Sequence, residues 1–178
     1  MEIAMLISKN LESAINAQIG RELGAQMQYV NIASYFTAEN MLLFGKLFFK
    51  QAAEENGHAM KFVRYVLDAG GRIAVPAIPQ GRADFKSAED AVGAALKWEE
   101  DVTGQINGLM DIAFKEKDYI AQELLGWFVN EQLEEVSKMS TILSVVRRSG
   151  DNLLLAEQYV QQTLADMEKV EGGSTGKR

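Results

Sequence analysis

The segments 8–38, 41–70, 87–115 and 118–148 each carry apolar residues at alternating spacings of three and four over many turns. That periodicity belongs to long helices sharing one core. In the first segment the stripe is Leu11, Ile15, Gln18, Glu22, Ala25, Tyr29 and Ile32; in the second it is Phe48, Gln51, Glu55, His58, Phe62 and Tyr65. The third reads Val92, Leu96, Glu99, Thr103, Ile106 and Met110. The fourth reads Leu125, Phe128, Gln132, Glu135, Met139 and Ile142, with Glu131 and Glu134 beside it. Acid interrupts every stripe near its midpoint. The second interruption, AAEENGHAMKF, also holds the single histidine of the chain, three positions after the second of the adjacent Glu54 and Glu55.

The breaks between segments carry helix punctuation: Glu39-Asn40, Gly70-Gly71, Ser87 with Asp90 as a capping pair, and Glu116-Lys117-Asp118. Arg147, Arg148 and Gly150 close the fourth helix, and residues 152–168 read as a shorter fifth one outside the four-helix core. The expected domain spans 1–168, and 169–178, ending in EGGSTGKR, has the composition of a disordered tail. The first pair and the last pair of long segments are joined by a few residues each, which makes two antiparallel hairpins. Between the pairs runs GRIAVPAIPQGRADFK, with both prolines, Pro76 and Pro79. Extended, its roughly 16 residues reach about 50 Å, against about 45 Å for a 30-residue helix. The linker can therefore run the length of the bundle and set the third helix parallel to the second. The expected fold is all-α: a four-helix bundle with one long crossover between the second and third helices and a short C-terminal fifth helix. Met41, Leu42, Leu43, Phe44, Leu47, Phe48 and Phe49 give the second helix a wide apolar girth, to be covered either by the crossover or by another subunit.

A helix midpoint keeps its height whichever way the helix runs, so the four interruptions meet in one layer. Unpaired carboxylates in an apolar core cost several kcal/mol each, and no Lys or Arg lies on these stripes at that level. A bound cation is the physical answer. The chain has no cysteine, which removes disulfides and thiolate metal sites from consideration. Its formal charge of -7 argues against nucleic acid as a partner and for attraction of cations. MEIAMLISKN lacks the basic start and apolar run of a secretory signal, and no segment approaches the roughly 20 apolar residues of a membrane span; the expectation is a soluble, cytoplasmic protein. Glu-x-x-His puts two ligands one turn apart on one face, and glutamates from facing helices can bridge two metals. Oxygen-rich ligation with one nitrogen suits iron or manganese. Two irons so held can deliver two electrons to O2.

Glu22 with Tyr29 seven residues on, Glu55-x-x-His58, Glu99 preceded by Trp98, and WFVNEQLEE at 127–135 resemble the non-haem bacterial ferritins over nearly the whole chain. The resemblance implies an iron-storage protein that oxidises Fe(II) with O2 or peroxide at a di-iron ferroxidase centre and keeps the Fe(III) mineral inside a homo-oligomeric shell of about 24 subunits. It implies Glu22, Glu55 and His58 as the first iron site, Glu55 and Glu99 as shared or second-site ligands, Glu135 on the second iron and Gln132 alongside. Glu54, Glu131 and Glu134, with Glu135, match an additional third iron site, and Tyr29 matches a tyrosine beside the centre, an electron donor.

Two departures sort the relatives. Bacterioferritins and rubrerythrins carry a second Glu-x-x-His on the fourth helix, where this chain has Gln132-x-x-Glu135, a weaker ligand set that favours passing oxidised iron on to storage. Bacterioferritins place methionine after the first such glutamate, where this chain has Asn56, so no haem is expected. A non-storage di-iron or di-manganese oxidase or peroxidase of the same superfamily remains the alternative, with a purely structural bundle outside the enzymes.

Overall fold

The computed structural model describes residues 5–78 and 80–174, with side chains as far as Met167. Five helices are found among them and no strand: α1 Lys9–Ala38, α2 Leu42–Asp68, α3 Ala88–Glu116, α4 Tyr119–Ser149 and α5 Leu153–Ser174. The punctuation works as its chemistry dictates. Ser8 accepts from the Leu11 amide at 3.0 Å, Ser87 from the Asp90 amide at 3.1 Å and Asp118 from the Ala121 amide at 2.9 Å, satisfying donors that a helix start leaves open. Asn40 and Lys117 turn the chain out of α1 and α3 with φ near 60° and 57°.

Two apolar clusters establish the topology. One gathers Phe36 from the end of α1, Phe44 and Phe48 from the start of α2, Val92 from the start of α3 and Val146 from the end of α4. The other gathers Leu11 from the start of α1, Val66 from the end of α2, Leu109 and Ala113 from the end of α3, and Ala121 from the start of α4. The starts of α2 and α3 share one end of the bundle, so these helices run parallel and each short-linked pair is antiparallel. The crossover makes this possible by lying along α1. Asn16 donates to the Arg72 carbonyl at 2.9 Å and accepts from the Ala74 amide at 2.7 Å; further along, Gln28 donates to the Arg82 carbonyl at 3.0 Å and accepts from its amide at 2.7 Å. From position 16 to 28 the strap follows roughly 18 Å of helix. Gly20 lets it sit close, since a Cβ there would fall 2.8 Å from Pro76 Cγ.

The expectation that the fifth helix lies outside the core is corrected. Ala156, Val160 and Leu164 of α5 are buried in the same cluster as Phe44, Leu47 and Val146, and Glu157 accepts from the Leu43 amide at 3.0 Å. The wide apolar girth of α2 is thus partly covered by α5, an occupant the sequence reading did not weigh, while Leu42 and Phe49 stay exposed. α5 also runs past position 168; of the tail expected to be disordered, residues 175–178 lie outside the described residues. No helix among the described residues is long and apolar enough to cross a membrane.

Candidate metal centre

Between the two clusters lies a polar layer, and its buried acids and histidine come from the interrupted stripes. Glu22, Glu99 and Glu135 are 1 % exposed, Glu55 2 % and His58 6 %. The stripes of α1 and α4 are buried at all the positions the periodicity selects; on α2 only Tyr65 is half-buried, and on α3 the buried line turns slightly, to Val92, Ala95, Glu99, Val102 and Ile106.

Glu22, Glu55 and His58 each offer a ligand atom, and these atoms all lie within 4.8 Å of one another. Gln18 donates to Glu22 Oε1 at 2.7 Å. His58 turns Nδ1 toward Glu55 Oε2 at 3.4 Å and Nε2 toward Glu131 Oε1 at 3.8 Å, so a cation taking Nδ1 would leave a carboxylate behind the ring to fix its orientation. Trp127 and Phe128 hold the ring from the side, at centroid distances of 5.6 and 5.9 Å. Glu55 Oε1 is buried without a hydrogen-bond partner, an acceptor left for a cation.

Glu99 and Glu135 form the other half. Tyr29 donates to Glu99 Oε1, and Gln132 Nε2 donates to Glu99 Oε2 at 3.2 Å and to Thr103 Oγ1 at 3.3 Å. Gln51 Nε2 donates to Glu135 Oε2 at 2.9 Å, while Lys138 Nζ donates to Glu135 Oε1 and to Gln51 Oε1, both at 2.8 Å. No Lys or Arg lies on the stripes themselves, yet Lys138 reaches this level from beside one. Lys138 lies one turn beyond Glu135, and helical side chains lean toward the N-terminus, which brings its ammonium back to the layer.

Burial sets the electrostatics. It raises the pKa of Glu22 well above its usual value, reinforced by the charge of Glu55. Burial likewise lifts Glu55 to about 7 against the pull of His58, and Glu99 to about 7 with the help of Glu135. Burial opposes the charge on His58, yet contact with Glu131 and Glu55 pushes its pKa up to about 11. The Tyr29 phenol is held protonated by burial and by Glu99. Such a layer keeps protons where a multivalent cation would replace them.

The flanking acids separate. Glu54 is raised by burial and pairs with Lys138 at 3.6 Å, and Glu131 is lowered by His58. Glu134 is exposed, and no hydrogen bond or ion pair among the described residues joins it to the other two. Sequence reasoning placed Gln18 and Gln51 on the stripes without a role; they orient Glu22 and Glu135. Lys138 was missed: it stands off the stripe, and its spacing of three from Glu135 does not by itself say where its ammonium goes.

A sequence model of the Ferritin-like domain matches residues 12–149. The chain belongs to the ferritin family. It is 38% identical over 143 residues to Ferritin BfrB of Mycobacterium tuberculosis, which covers 80% of this chain and 79% of the relative. Over 147 residues it is 34% identical to the bacterial non-heme ferritin of Staphylococcus aureus, covering 83% and 89% of the two chains. A novel open pore ferritin from the hyperthermophilic Archaeon Archaeoglobus fulgidus superposes with a TM-score of 0.85 at 29% identity, over 88% of this chain and 96% of that one. The all-α bundle with a crossover and a C-terminal helix is thus a ferritin bundle, and iron storage is the function that goes with it.

Proposed function

We propose that this ferritin oxidises Fe(II) at a dinuclear centre in the polar layer and stores the Fe(III) inside a hollow shell of about 24 copies of the chain. The observation that carries the reading is the buried cluster of Glu22, Glu55 and His58, with ligand atoms within 4.8 Å of one another and an unpartnered oxygen on Glu55. Fe(II) is the substrate. Glu22, Glu55 and His58 hold the first ion, Glu55 and Glu99 are shared, and Glu135 with Gln132 holds the second. Each pair of Fe(II) ions gives up two electrons; O2 takes them with two protons and leaves as peroxide, itself a further oxidant for Fe(II). Tyr29, bonded to Glu99, is an electron donor for full reduction: one electron from Tyr29, its phenol proton passing to Glu99, together with three from Fe(II) and four protons in all, takes O2 to two waters. The weak second position, without histidine, lets oxidised iron leave for the cavity. Glu54, Glu131 and Glu134 act on this route as a third site. The protein works in the cytoplasm.

The test is aerobic Fe(II) loading of the purified protein, with native mass and iron content read afterwards. The expected result is a particle far above the 19.7 kDa of one chain that retains many irons per subunit. A folded protein that stays at the mass of one or two chains, or that turns over Fe(II) without retaining iron, would instead be a non-storage oxidase.

A further inference from the structure

Within the proposed centre the two halves are not equivalent, and Lys138 makes the difference. In the first half Glu55 Oε1 has no hydrogen-bond partner. In the second half both oxygens of Glu135 are engaged, Oε2 by Gln51 and Oε1 by Lys138. The same ammonium holds the Gln51 amide oxygen at 2.8 Å and lies 3.6 Å from Glu54 Oε2. A positive charge thus already sits between Glu135 and Glu54, on the flank where a second or third ion would arrive.

We propose that Lys138 is a built-in, displaceable counter-ion that weakens the second metal position and so imposes an order of filling, first half before second. It is a positioning residue that acts through Glu135 and Glu54, and the inference rests on the dinuclear reading above. A divalent ion reaching Glu135 must compete with the ammonium for Oε1 and then face its charge at close range. The way out is short. The Lys138 side chain is 21% exposed and that of Glu54 29%, and a flexible four-carbon stem carries a compact charge readily to a new partner. When the ammonium swings toward Glu54 it also occupies that carboxylate, so a second ion is admitted at the expense of a third. The first half, with no ammonium on its ligands, is left unaffected.

The test is an anaerobic titration of the assembled, metal-free protein with Co(II), followed by calorimetry and by visible absorption, which reports each ion without any turnover. Wild type is compared with Lys138→Gln, which keeps hydrogen bonding, Lys138→Met, which keeps volume, and Lys138→Arg, which keeps charge. The expected result is two unequal steps in wild type. The second tightens by at least about tenfold in the Gln and Met variants, the scale on which neighbours of ligands act, with the first step unchanged and the Arg variant like wild type. Second-step affinities equal to wild type in both neutral variants overturn the proposal, even if their melting temperatures fall. So does an equal tightening of both steps, or two equal steps in wild type. A wild-type protein that binds no second Co(II) overturns the dinuclear reading along with this one, whereas two bound ions indifferent to Lys138 overturn this one alone.

Discussion

Glu55 and His58 illustrate how a residue can be costly to the fold and needed for the chemistry at once. Both are buried, Glu55 faces the charges of Glu22 and Glu99, and His58 is the single nitrogen ligand its side chains can offer beyond amides and amines. Replacing either with Ala should slow rapid Fe(II) oxidation by at least roughly tenfold in stopped-flow measurements. The metal-free Glu55→Ala protein should meanwhile melt no lower than wild type, because removing one acid relieves repulsion in the empty layer. Wild-type rates in either variant would make AAEENGHAMKF a structural element. Glu131 and Glu134 divide differently. Glu131 reaches His58, whereas Glu134 is exposed without a described partner. Changing both to Ala should leave the first oxidation step largely intact and alter the iron-to-oxygen ratio; an unchanged ratio would leave them as a solvated acidic face. The buried acids were legible in the sequence because each breaks an apolar period, and a break in a period is visible without coordinates. Lys138 was not, since it stands off the stripe and reaches the layer only through the length and lean of its side chain.

Among the elements, the four long helices could be read almost to the residue from the extent of their apolar periods; Ser87 caps α3 as expected, Ser8 and Asp118 cap α1 and α4, and α2 starts after Met41 with no side-chain cap. The crossover was legible from its length, and the structure adds its tether: Asn16 and Gln28 use their side-chain amides as a strand edge would, each exchanging two hydrogen bonds with the strap. What α5 packs against was not legible, because its stripe of Ala156, Val160 and Leu164 fits a partner helix in the same chain as well as one in a neighbour. Its burial sets the outcome of cutting the chain after Gly150. Removal of α5 bares Phe44, Leu47 and Val146, so the bundle itself should lose stability along with assembly. Leu164→Ala alone should cost about 2–4 kcal/mol in chemical denaturation, the range for emptying a buried leucine site. A truncated chain that unfolds at the wild-type denaturant midpoint would leave α5 a role in assembly only.

At the scale of the whole molecule, the polar layer ties the stability of the metal-free protein to pH. In an unfolded chain Glu55 and Glu99 titrate near 4.5, whereas in the folded protein they hold their protons to about 7. Between those values the folded state binds more protons than the unfolded one, so stability falls as pH rises through the window. His58, raised from 6.5 to about 11, acts in the same direction above pH 6.5. Glu131 is lowered and opposes them only at the acid end, below the range of interest. One carboxyl shifted this far and taken alone corresponds to on the order of 3 kcal/mol, enough to dominate over exposed charges, which water screens. The metal-free protein, kept so with a chelator, should therefore melt at a distinctly lower temperature at pH 8 than at pH 5.5. Glu55→Gln and Glu99→Gln, which keep the shape and remove the titration, should each flatten that slope. A divalent ion that takes the place of the protons should flatten it too, and most at the alkaline end, where the empty layer carries the most charge. A melting temperature that rose from pH 5.5 to 8, or a slope that both Gln variants left untouched, would mean that the layer stays ionised in the empty protein and that Lys138 with the orienting glutamines suffices to hold it.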